Sequence, residues 1–132
     1  MKEQLNVNPS MESMVEVLSF IEDLLEKEEV TIKQSHKISV VVDELYSNII
    51  NYSKATQAIV ICEINKDVIS ITFKDNGIPY NPFKKADPDV HQSIEEREIG
   101  GLGIFLTKKL MDDCTYLSEE NMNVVKVSLF RK

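Results

Sequence analysis

The chain has 132 residues, 42% of them apolar and 28% charged, the proportions of a globular protein long enough for one core and too short for two. Fifteen basic against 22 acidic side chains leave a net charge of −7, a field that repels a phosphate backbone and excludes nucleic acid as the expected partner. Apolar runs such as 38–42 and 59–62 fall far short of the roughly 20 residues that cross a bilayer, so no membrane contact is expected.

A single domain over residues 1–132 is expected. The opening Met-Lys-Glu-Gln-Leu-Asn lacks the apolar centre of a signal peptide, and Cys62 and Cys114 stand without a C-x-x-C or a nearby His pair, which predicts a reduced, cytoplasmic location. After an extended start at 5–8, Ser10 is placed to cap a helix whose Met14, Leu18, Ile21 and Leu25 follow one buried stripe. Glu12, Glu16, Glu22, Asp23 and Glu26 make the other face a solvated one, or a docking face. Thr31 and Gln34 have the spacing of a capping box, and Ile38, Val41, Val42, Leu45 and Ile49 carry a second helix to about Tyr52.

Residues 56–65 and 67–74 are rich in β-branched side chains, with Asn65-Lys66-Asp67 between them, and predict a β-hairpin. From 76 to 100 the pattern breaks: Pro79, Pro82 and Pro88 interrupt mixed charges, the composition of a long loop or lid. A third helix is expected over 102–111. Strands at about 114–118 and 124–131 follow, joined by a polar turn at 119–123. Neither internal repeats nor low-complexity tracts occur.

Three segments have compositions that packing alone does not require. Glu44 and Asn48, inside Asp43-Glu44-Leu45-Tyr46-Ser47-Asn48, are four residues apart and share a helix face. A carboxylate and an amide oxygen so placed suit a hard cation such as Mg²⁺, with water and phosphate completing its shell, although a solvated helix face often carries the same pair. Asp75-Asn76-Gly77 ends a hydrophobic strand, where the carboxylate can accept from an exocyclic amino group, or where the tripeptide is an ordinary turn. Gly100-Gly101-Leu102-Gly103 opens a helix, whose unpaired amides favour phosphate. It is neither a P-loop nor a Rossmann fingerprint. His36 and His91 have no acidic or Cys partner at ligand spacing and read as core or surface residues.

The order of these segments resembles the GHKL, or Bergerat, ATPase superfamily. The stretches D-E-L-Y-S-N-I-I-N-Y-S, D-N-G-I-P-Y-N-P and G-G-L-G-I-F-L-T-K-K-L-M-D look like those of its small anti-sigma regulatory factors, the serine-protein kinases of bacterial partner switching. The resemblance implies an α+β fold: a two-layer α/β sandwich with a mostly antiparallel mixed sheet, three helices on one face, and an ATP lid at about 76–100. It implies ATP or ADP and Mg²⁺ as cofactors, with Asn48 as the metal ligand and Glu44 as the general base. Asp75 would read adenine with Gly77 giving it room; Gly101, Leu102 and Gly103 would line the triphosphate, and Arg97 would serve from the lid. By the same resemblance the partners are a STAS-domain antagonist, phosphorylated on serine or threonine, and an RNA polymerase sigma factor or other regulator, with the kinase a homodimer. The alternative is a nucleotide-gated binding module that transfers no phosphate. Glu44 speaks for the kinase.

Overall fold

A computed structural model describes residues 1–84 and 101–131 of the chain. Its first strand, β1 (Lys2–Val7), is mostly exposed and pairs antiparallel with β2 (Ala58–Ile64). Helix α1 (Met11–Lys27) begins where expected: Ser10 Oγ accepts from the Ser13 amide at 3.1 Å, and Ser13 Oγ accepts from the Ser10 amide at 3.0 Å. This reciprocal pair satisfies two donors that a helix start leaves open. The fully buried stripe of α1 is Val17, Ile21 and Leu25, while Met14 and Leu18 pack at its margin. Helix α2 (Ile32–Asn48) is capped by Thr31, whose side chain accepts from Gln34 N, and it buries Ile38, Val41, Val42, Leu45 and Tyr46.

The chain does not leave the helix at Asn48. Residues Ile49–Ser53 continue it as a π-helical turn, ended by Lys54 in the left-handed conformation (φ 56°). The hairpin of β2 and β3 (Val68–Asp75) turns at Asn65, whose side-chain oxygen accepts from the amides of Asp67 (2.8 Å) and Val68 (2.9 Å). A short 3₁₀ turn at Pro82–Lys84 is followed, beyond residues 85–100, by α3 (Gly101–Leu110). The last hairpin joins β4 (Asp113–Glu119) to β5 (Met122–Phe130) through Glu120 and Asn121, both at positive φ.

The five strands stand in the order β1-β2-β3-β5-β4. Every pairing among them is antiparallel, so the expected mixed character of the sheet is corrected. Strands β2–β3 and β4–β5 are hairpins, and the long connections, α1 and α2 between β1 and β2 and α3 with β4 between β3 and β5, also bring their strands back antiparallel. Strand register explains the core. Val60, Phe73 and Val125 lie side by side, as do Cys62, Ile71 and Val127, and then Ile64, Ile69 and Leu129. These rows are buried in one cluster with the inner faces of α1 and α2, the arrangement of a two-layer α+β sandwich. Cys62 lies within it; burial, and then the charge of Glu28, push its thiol up to about 12, which fits a packing residue and not a redox one. Among the described residues no helix is long and apolar enough to cross a membrane.

Candidate functional site

One row of the sheet's inner face departs from this apolar pattern. Asp75 is next on β3 after the inward-facing Phe73, and it pairs with Asn123 on β5. Both side chains are buried, at 3% and 4% exposure. A buried carboxylate needs donors. Asp75 Oδ1 accepts two, the Gly77 amide at 2.9 Å and Asn123 Nδ2 at 3.1 Å. Oδ2 has no hydrogen-bond partner among the described residues.

Asp75 borders a pocket of about 380 Å³, open solvent included, between the end of α2 and the sheet. Leu45, Ile49, Phe73 and Val125 give it apolar walls, Tyr80 and Pro82 close one side, and Asn48 joins Asp75 in its lining. An apolar slot with a few convergent polar groups is the usual form of a small-molecule site. A flat heteroaromatic base carrying an amino group fits its chemistry, because the free Oδ2 is an acceptor in an otherwise apolar surround.

Glu44 lies one helical turn before Asn48 and is half-buried. Its carboxylate presses against Gly103 in the first turn of α3: a Cβ built on Gly103 would run into Glu44 Cδ, Oε1 and Oε2. Burial, and then the neighbouring Asp43, raise the carboxyl pKa above its ordinary value of 4.5. The structure thus brings Glu44 to Gly103 and Asn48 to Asp75, with one helical turn joining the two pairs. Gly101 and Leu102 open α3 just before Gly103. Arg97 and most of the expected lid lie outside the described residues.

Gly77 has a different neighbour from the one expected. The atoms nearest to its missing Cβ are Ser53 O, Cβ and C, and the next amide, Ile78 N, donates to Ser53 O at 2.7 Å. Gly77 therefore lets the π-helical turn dock on the end of β3. Ser53 is itself buried and borders the pocket, its hydroxyl donating to Ile49 O at 2.8 Å. Residues 76–80 are tied to the rest of the fold, and 81–84 form a local turn. Asn76 Oδ1 accepts from the amides of Thr56 and Gln57, and Asn81 Oδ1 from that of Phe83.

A metal ion held by one amide oxygen and a ligand's phosphates needs no carboxylate cage. Among the described residues no group of three His, Cys, Asp or Glu side chains makes such a cage. Asn48, at the mouth of a pocket floored by Asp75, fits that open mode of Mg²⁺ binding.

A family model for the histidine kinase-like ATPase domain matches residues 7–129. The chain belongs to this family. Within it the chain falls among the anti-sigma regulatory factors. It is 33% identical over 111 residues to an anti-sigma F factor of Clostridium perfringens (strain SM101), covering 81% of this chain and 76% of that one. To a serine-protein kinase RsbW of Bacillus mycoides it is 22% identical over 102 residues, covering 72% of this chain and 64% of the relative. The crystal structure of the RsbU and RsbW domains of a Mycobacterium tuberculosis protein superposes with a TM-score of 0.68 at 10% identity. That superposition covers 96% of this chain and 32% of the other, and it shows the shared fold. In this histidine kinase-like ATPase domain, Asn123, Ser53 and Tyr80 border the pocket although sequence reasoning passed them over. For Asn123 a signal existed: it continues the period-two row of Val125, Val127 and Leu129, which places an amide on the buried face of β5.

Proposed function

We propose that this chain is an ATP-dependent serine/threonine protein kinase of the anti-sigma type. It would phosphorylate a STAS-domain antagonist and hold an RNA polymerase sigma factor, or another regulator, once that antagonist is modified. The family membership and the names of its relatives support this reading. The observation that carries it is Glu44, a half-buried carboxylate held against Gly103 one turn from the pocket residue Asn48. A module that only bound nucleotide would not need a carboxylate there.

In this reading Asp75 Oδ2 accepts from the adenine amino group while Leu45, Ile49, Phe73 and Val125 cover the ring faces. Asn48 would hold Mg²⁺, which when bound would supply neutralising charge at the phosphates, and the first turn of α3 at Gly101, Leu102 and Gly103 would offer amides to them. Glu44 takes the proton from the antagonist's hydroxyl as its oxygen bonds to the γ-phosphorus. The bond from that phosphorus to the bridging oxygen breaks, and ADP leaves. Arg97 is assigned to the γ-phosphate, and the chain to a homodimer, by family resemblance; the cytoplasmic setting rests on the N-terminal composition and the two lone cysteines. Incubating the chain with γ-labelled ATP, Mg²⁺ and a STAS-domain protein encoded beside it should label that protein on serine or threonine. No label on any such partner would leave the chain a nucleotide-gated switch.

A further inference from the structure

Asn123 uses its whole hydrogen-bonding capacity inside the pocket wall. Its Nδ2 donates to Asp75 Oδ1 at 3.1 Å and to Ile78 O at 2.9 Å. Its Oδ1 accepts from the Tyr80 amide at 3.0 Å and from the Tyr116 hydroxyl at 2.6 Å. Two partners are pure acceptors and the backbone amide of Tyr80 is a pure donor, so only one orientation of the amide satisfies all four. No shorter or apolar side chain can bridge these groups. Register places Asn123 beside Asp75 in the sheet, and Tyr116 reaches it from the edge strand β4.

We infer that Asn123 is the positioning residue of base recognition: one amide fixes the Asp75 carboxylate and clamps the Ile78–Tyr80 wall to β5. With Gly77 N and Asn123 Nδ2 both on Oδ1, the carboxylate plane is set and Oδ2 is left as the acceptor for a ligand. A base presenting an amino group at that point is accepted, and one presenting a carbonyl meets oxygen against oxygen. Selectivity therefore depends on Asp75 being unable to rotate. This inference rests on the nucleotide-binding reading above and goes beyond it, because it locates base choice in the Asp75–Asn123 pair and not in Asp75 alone.

The test is calorimetric titration of the full chain with Mg²⁺ and either ADP or IDP, which differ at C6, amino against carbonyl, and at N1, acceptor against N–H donor. The wild-type chain should prefer ADP. Asn123→Leu, of similar size and without polar atoms, should weaken ADP binding about 10-fold or more and bring the ADP-to-IDP ratio close to unity. Tyr116→Phe removes one donor from Asn123 Oδ1 at a partly exposed position and keeps the fold if the leucine variant does not. It should lower ADP affinity about three-fold with IDP affinity unchanged. Equal losses for both nucleotides in Asn123→Leu, or an unchanged ratio in Tyr116→Phe, would overturn the inference. If the wild-type chain binds neither nucleotide, it is the nucleotide-binding reading that fails.

Discussion

Glu44 carries a charge where burial disfavours it. Its carboxyl pKa is raised, first by desolvation and then by Asp43, so the folded chain holds the proton more tightly than the unfolded one. The stability this gives is complete below the ordinary carboxyl value of 4.5 and is lost as pH rises through the raised value. Near neutral pH the ionised group is a net cost. Glu44→Gln should therefore raise the denaturation midpoint near pH 7 and leave it almost unchanged near pH 4, which urea titrations at the two values would check. Phosphoryl transfer by the wild-type chain should rise over the same window, since only the ionised carboxylate accepts a proton. Gly103 is the matching residue on α3. Gly103→Ala should push the flexible end of Glu44 aside and leave the backbone in place. The gain in helix propensity, about 1 kcal/mol, should keep the melting temperature at or above wild type while transfer falls about 10-fold or more. A variant that loses stability and keeps its rate would contradict the contact. For Asp75→Asn the loss falls on binding. Replacing a buried charged acceptor should weaken Mg·ADP about 10-fold to 100-fold, as read by calorimetry.

At the scale of elements, local signals were legible wherever side chains act on their own backbone. Ser10 and Asn65 make the cap and turn bonds their positions in the sequence imply, and Thr31 caps α2 but without the reciprocal half of its box, since the Gln34 side chain donates to Phe130 O instead. The π-helical turn at Ile49–Ser53 left no such trace, because five residues are too few to show a period distinct from that of α2. Yet it places Ser53 under Gly77 and so closes one end of the pocket, in keeping with the frequency of such turns at functional sites. The β4–β5 turn was expected as polar, but its conformation was not legible, since Glu120 (φ 53°) and Asn121 (φ 65°) adopt the left-handed region without glycine. A two-residue turn of this kind favours Asn-Gly. Glu120→Asn combined with Asn121→Gly should stabilise the chain by about 1 kcal/mol in chemical denaturation. No gain would mean that the turn is relaxed as it stands.

At the scale of the molecule, the motifs foretold which segments meet, and the pairings that bring them together were beyond local patterning. Nothing within residues 2–7 marks β1 as the partner of β2, and nothing in β5 announces that it slots between β3 and β4. Those pairings are made by burial of a whole face, to which each strand adds one row. They put Asp75 and Asn123 in the pocket wall with the end of α2 beside them, so that Asn48 reaches the pocket while Glu44, one turn earlier, meets Gly103. The edge strands β1 and β4 are largely polar and exposed, which limits unwanted pairing at either side. In the proposed kinase, Glu44 performs chemistry at a nucleotide site it does not build. The measurement that tests it most directly is transfer from saturating Mg·ATP to the STAS-domain antagonist by Glu44→Gln, with nucleotide affinity measured on the same protein. The rate should fall about 10² to 10⁴-fold while affinity stays within about three-fold of wild type. Transfer as fast as wild type would contradict it.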